Sequence, residues 1–116
     1  MSEAASETPV QVVHRHVEAQ GRRDIAAFMA DCAAGIRVLN ANGETVLEGL
    51  DAFRTMYAGI FSRNLELKTD LIDRISVGPW VIDEQLLTGF ADGSQMHIAR
   101  VYHVEDGKIM SIQVFH

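Results

Sequence analysis

Between residues 10 and 61 the apolar positions recur at helical spacing in three separate runs, and each run predicts a helix. Val10, Val13 and Val17 make the first stripe, with His16 beside it, three after Val13 and four after Val12. Thr8-Pro9-Val10-Gln11 opens this run with a capping hydroxyl, a proline at the first helical position and a glutamine three residues after the cap, and Gly21 closes it. Ile25, Phe28, Met29 and Cys32 predict a shorter helix starting near Asp24, and Leu50, Phe53, Met56, Tyr57, Ile60 and Phe61 predict a third over about 50–62. Between the second and third helices the period drops to two. Ile36, Val38 and Asn40 then share one face of a short strand, Asn42-Gly43 carries a type I′ hairpin signal, and residues 45–47 return.

From Leu65 to Phe115 the chain is strand-like, interrupted at Gly78-Pro79, Asp92-Gly93 and Asp106-Gly107. Two-residue loops at the last two sites would pair Leu86 with Ala99, Glu84 with Val101, Met110 with His103 and Ile112 with Val101. One face then collects Trp80, Ile82, Glu84, Leu86, Thr88, His97, Ala99, Val101, His103, Met110, Ile112, Val114 and His116. Being mostly apolar, it is expected to line the interior. The opposite face, with Asp83, Gln85, Arg100, Tyr102, Ser111 and Gln113, suits an outer surface or a subunit interface. A one-residue slip in either loop would exchange the two faces.

The order of elements predicts an α+β domain: a cone-shaped, curved mixed or antiparallel sheet wrapped around three N-terminal helices and enclosing a cavity. Residues 1–8, small and polar, are expected to be a flexible N-terminus, and residues 9–116 a single domain.

At 116 residues the chain can bury a core without disulfides or metals. Its net charge of −6, with no Lys/Arg cluster to offset it, argues against nucleic acid as a partner. No apolar run approaches the roughly 18 residues of a membrane span. The opening MSEAASET lacks the basic and apolar regions of a signal peptide, so a cytoplasmic protein is expected. Cys32, the single cysteine, is expected to be a buried thiol. His14 and His16 lie two apart on a helix and diverge, so they form no chelate and no metal site is expected. Phosphate-binding and nucleophile-elbow motifs are missing, and no cofactor is expected.

The strings HVEAQGRRDIAAFM, NANGETVLEGLDAFRTMY and IARVYHVEDGKIMSIQVF, in this order, resemble the nuclear transport factor two-like superfamily, which includes ketosteroid isomerases and SnoaL-like polyketide cyclases. The resemblance spans nearly the whole chain and implies the cone fold. In the isomerases an Asp is the general base, while a Tyr and a protonated Asp hold the oxyanion. The resemblance places the base at Asn40, the oxyanion Tyr at His16 and the protonated Asp at Ala99, and it aligns Tyr57 with a Tyr that supports the oxyanion hole in some isomerases. An amide cannot take a proton and Ala99 cannot donate a hydrogen bond, so steroid isomerisation by that mechanism is not expected.

The expected function is a small-molecule pocket of SnoaL-like or ketosteroid isomerase-like type. It would act as an isomerase, cyclase or lyase on a small hydrophobic or polycyclic substrate; the alternative is a non-catalytic ligand-binding or dimeric assembly module. The candidate catalytic residues are His97 or His16 as acid/base, with Asn40 and Tyr57 orienting a substrate oxygen. The candidate ligand-binding residues are Trp80, Glu84, Ala99, Val101, Ile112, Val114 and His116. The bland readings are an Asx-type turn for Asn40, a core histidine at His16, helix packing for Tyr57 and a surface ion pair for Glu84. A homodimer through the exposed sheet face is expected.

Overall fold

The computed structural model describes residues 7–116. The first helix, α1 (Pro9–Gly21), starts as its sequence predicts: the Gln11 amide N–H donates to the Thr8 hydroxyl (3.2 Å), and the Thr8 N–H donates to the Gln11 side-chain oxygen (2.8 Å). Of the expected flexible segment, residues 1–6 lie outside the described residues, whereas Glu7 pairs with Arg15 and Thr8 caps α1. The buried stripe of α1 is rotated slightly from the expected one, running through Val12, Val13, His16, Val17 and Gln20.

Helix α2 (Ile25–Ala30) is capped by the Asp24 carboxylate and stops before Cys32. Cys32 was expected on this helix but begins strand β1 (Cys32–Leu39). The Ile109 N–H donates to the Asp31 carbonyl (2.7 Å) and Cys32 pairs in parallel with Ile109, so sheet pairing captures the chain before the last position of the apolar stripe.

After β2 (Thr45–Glu48) and α3 (Leu50–Arg63) come β3 (Lys68–Val77), β4 (Trp80–Thr88), β5 (Met96–Glu105) and β6 (Lys108–Phe115). They form a six-stranded mixed sheet in the order β2-β1-β6-β5-β4-β3, in which only the β1–β6 pair is parallel. The helices pack on one face and enclose a core of Phe28, Phe53, Tyr57, Phe61 and the inward residues of the strands. This is the expected α+β arrangement. Among the described residues, no helix is long and apolar enough to cross a membrane.

The turns depart from the expected ones in an orderly way. Gly43 donates its N–H to the Asn40 carbonyl (2.9 Å) and has φ +84°, while Asn42 does not adopt the positive φ that a type I′ turn at Asn42-Gly43 requires. The loop is therefore three residues, closed by a left-handed glycine. The β4–β5 connection spans residues 89–95, and pairing settles at Glu84 with Ala99 and Leu86 with His97. That register is two residues from the expected one, so the same residues still share a face. At Asp106-Gly107 both residues have positive φ and Glu105 pairs with Lys108, as a two-residue loop demands. A register shift between His103 and Val104 then moves Ile112 opposite Tyr102 and Val114 opposite Arg100.

The face assignment is reversed. In β4 the buried residues are Val81, Asp83, Gln85 and Leu87, and in β5 they are Ile98, Arg100, Tyr102 and Val104. Trp80, Glu84, Ala99, Val101 and His97, expected inside, lie on the face turned away from the helices. The physical reason is that the polar set can satisfy itself when buried. The more apolar set is left exposed, with Ile75, Val77 and Trp80 on adjoining strand positions between 43% and 64% accessible.

Candidate functional site

Polar side chains cross the interior as one chain of hydrogen bonds. Arg74 binds Asp83 through two parallel bonds, Nε to Oδ1 at 2.6 Å and Nη2 to Oδ2 at 2.8 Å. Gln85 Nε2 donates to the same carboxylate (3.2 Å) and to the Tyr102 hydroxyl oxygen (3.2 Å). Gln85 Oε1 accepts from Arg100 Nη1 (2.8 Å), which also reaches Gln20 Oε1 (3.1 Å). Asp83, Gln85, Gln20 and Arg100 are all buried. Burial pushes the Tyr102 hydroxyl up to about 12, against the opposing pull of Arg100, so it stays protonated. For Arg100, desolvation works against the charge, while the oxygens of Tyr57 and Tyr102 work for it and prevail.

Arg100 opens onto a cleft of about 580 Å³ between the β1–β2 hairpin, α3 and the ends of β5 and β6. Its apolar wall comes from Val38, Leu39, Val46, Leu47, Met56, Met96 and Val114, and its polar groups from Asn40, Asn42, Tyr57, Arg100 and His116. Among the described residues, no Asp or Glu lines it.

The candidate residues are thus divided. Asn40, Tyr57, Val114 and His116 meet in the cleft. The Asn40 amide is largely occupied by its own turn: Oδ1 accepts the N–H groups of Asn42 and Glu44 (3.0 Å each), and Nδ2 donates to Glu44 Oε1 (2.8 Å). Tyr57 packs its ring on Phe53 and Phe28 with centroids 4.7 and 4.9 Å away. Ile112 lies in the core rather than on the cleft.

His16 does not reach the cleft. It is 1% exposed, stacked on Phe28 at 4.0 Å, with Nδ1–H donating to the Phe28 carbonyl (2.8 Å). Burial, with a smaller contribution from Arg100, outweighs that bond and lowers its pKa to about 3. It is neutral across the physiological range and cannot exchange protons with a ligand from there. Cys32 lies behind it, its thiol pushed up to about 12 by burial and the Asp31 charge, and it is not a nucleophile.

His97 and Glu84 are on the outer face, joined by a 2.7 Å hydrogen bond in which the imidazole Nε2 donates to the carboxylate. Trp80 stacks on His103 there, with centroids 4.3 Å apart. Ala99, aligned by resemblance with the protonated acid, also faces outward; its neighbour Arg100 is the residue that points in. Arg100 was missed because its strand was read with the wrong face inward. The available signal was chemical complementarity: Asp83 and Gln85 stand opposite Arg100 and Ile98 and next to Tyr102, a set able to satisfy itself when buried.

A larger depression, about 720 Å³, lies between Glu7, Arg15, Asp31 and the Asp106–Lys108 turn. Its charges are mutually satisfied: Arg15 binds both Glu7 and Asp31, and Lys108 Nζ donates to the Ala30 carbonyl (2.7 Å). It therefore offers a ligand less than the cleft at Arg100 does.

Comparison with known proteins agrees with this architecture. No curated protein matches the chain. Among solved structures, an uncharacterized cystatin-fold protein from Novosphingobium aromaticivorans superposes with a TM-score of 0.87 at 20% identity, covering 96% of this chain and 100% of that one. An NTF2-like protein of unknown function from Cytophaga hutchinsonii gives 0.80 at 16% identity, over 99% and 93%. A hypothetical protein with a ketosteroid isomerase-like fold from Catenulispora acidiphila, in complex with trimethylamine, gives 0.76 at 17% identity, over 95% and 87%. At these identities the likeness concerns the fold. The SnoaL-like domain family matches residues 13–112, which take in α2, α3, most of α1 and nearly the whole sheet, and the chain belongs to that family.

Proposed function

We propose that the chain is a small-molecule pocket protein whose cleft takes a compact, mainly apolar molecule and holds an oxygen of it against Arg100 and Tyr57. One observation carries this reading: a buried guanidinium opens into an otherwise mostly apolar cleft. A guanidinium held largely out of water is poorly solvated, and a ligand oxygen at its open edge would give it a partner. The trimethylamine in the Catenulispora neighbour supports small-molecule binding by this fold. Methyl-labelled methionine NMR tests it. Titration with 2-naphthol should shift Met56 and Met96, which line the cleft, and leave Met110, exposed at the β5–β6 bulge, unmoved. Shifts at Met110 alone, or none, would refute it.

A second reading is favoured by His116, whose imidazole lines the cleft together with Arg100 and Tyr57. In an enolisation, the C–H bond beside a carbonyl would break, its proton passing to the imidazole and its electron pair to an oxygen held by Arg100 and Tyr57. Deuterium exchange at the α-carbons of 2-tetralone, accelerated by wild type and not by His116→Ala, is the expected result. Exchange equal to buffer in both would leave binding alone.

We also propose a homodimer through the outer sheet face and a cytoplasmic location. Ile75, Val77, Trp80, Ile82 and Val101 form an apolar strip there, and contiguous exposed apolar surface marks an interaction face. A second copy can cover it with the same strip.

A further inference from the structure

The interior holds an imbalance of charge that the fold itself does not use. Arg74 and Asp83 form a complete ion pair, with both carboxylate oxygens engaged. Gln85 relays hydrogen bonds between that pair and Arg100 but carries no charge. Arg100 is 7% exposed, its protein hydrogen bonds go to the amide oxygens of Gln20 and Gln85, and among the described residues no carboxylate pairs with it. The Arg74–Asp83–Arg100 group thus has a net charge of about +1 in a medium of low dielectric. Buried guanidinium groups are ordinarily matched by a carboxylate, because removing the ion from water is otherwise uncompensated. The missing partner would have to come from the cleft, where among the described residues no lining side chain is an acid.

We propose that the natural ligand is an organic anion: an apolar body bearing one carboxylate, which binds the cleft-facing edge of the Arg100 guanidinium with the Tyr57 hydroxyl alongside. This deepens the pocket reading above and rests on it, because it assigns the ligand's charge to a site that reading already requires. Guanidinium and carboxylate match in shape as well as charge, and the apolar walls formed by Val38, Val46, Leu47, Met56 and Met96 select against small, fully hydrated anions such as phosphate or sulfate. A cationic ligand would meet the buried positive charge and be excluded.

Three probes of one shape and different charge test the idea: 2-naphthoate, 2-naphthamide and 2-naphthylmethylammonium, titrated by calorimetry with the methionine methyl signals as the reporter of place. The expected order has naphthoate about 10- to 100-fold tighter than the amide, the range for a charge-assisted over a neutral hydrogen bond, and no binding of the ammonium. Arg100→Met should bring naphthoate down to the level of the amide, while Lys108→Gln, outside the cleft, should leave the preference intact. If Arg100→Met does not fold, the wild-type comparison still decides. Equal binding of acid and amide, or tighter binding of the ammonium, would overturn the anion assignment and leave the pocket standing. No binding by any of the three at the cleft would overturn both.

Discussion

His16 makes a quantitative prediction about acid stability. In the folded chain its pKa is about 3, lowered by burial against Phe28, whereas an unfolded chain returns it to about 6.5. The folded-state value lies below the unfolded one, so protons favour the unfolded state as pH falls through 6.5, and stability drains away until pH reaches about 3. Between pH 8 and pH 5 the unfolded histidine gains its proton and the folded one does not, a difference of about 2 kcal/mol. His16→Gln removes the titrating group and keeps a donor for the Phe28 carbonyl. Urea unfolding of wild type and variant, followed by circular dichroism at both pH values, isolates the effect, because the other titrating groups contribute equally to both proteins. Wild type should lose about 2 kcal/mol more than His16→Gln on moving to pH 5, about 1 M in urea midpoint at a slope near 2 kcal/mol per molar. Parallel losses, agreeing within about 0.5 kcal/mol, would refute the claim that His16 is locked neutral in the core. A titration of the His16 imidazole itself near pH 6, seen by NMR in the folded protein, would do the same.

Asp83→Ala leaves Arg74 half-buried without a partner and Gln85 short of an acceptor, and should cost about 3–5 kcal/mol in chemical denaturation. The double substitution Arg74→Met with Asp83→Leu should recover most of it, since the uncompensated charge is gone. Gly89 has φ +85°, and an added Cβ would collide with the Glu66 carbonyl, so Gly89→Ala should lower stability by at least about 2 kcal/mol in the same assay. Ile75→Asp, placed in the centre of the outer apolar strip, should halve the mass measured by light scattering without lowering the melting temperature of the monomer. An unchanged mass equal to two chains would remove that face from the interface.

Local signals in the sequence were sufficient at several elements, though not at Asn42-Gly43 and Asp92-Gly93, whose loops are longer than two residues. The capping box of Thr8 and Gln11 starts α1, the apolar stripe from Leu50 to Phe61 forms α3, and Asp106-Gly107 makes its two-residue turn, because each depends on chemistry within about one turn of chain. The order of these elements also implied the α+β layout and the family fold. Asn40 and Tyr57 could be brought to the same region on that basis, and both line the cleft.

The remainder was settled by contacts distant in sequence. Alternation along β4 and β5 separates two faces but does not say which one the helices cover, and apolar character misleads when the outer face is itself an apolar strip. The helices cover the face where Arg74, Asp83, Gln85, Arg100 and Tyr102 join in one hydrogen-bonded chain, a complementarity visible only once β3, β4 and β5 are paired. One irregularity near Met110 then carries Val114 to the same side as Arg100. Arg100 came to matter, and His97 ceased to, because a side chain's chemistry depends on its surroundings, and tertiary packing alone decides which residues are sealed from water.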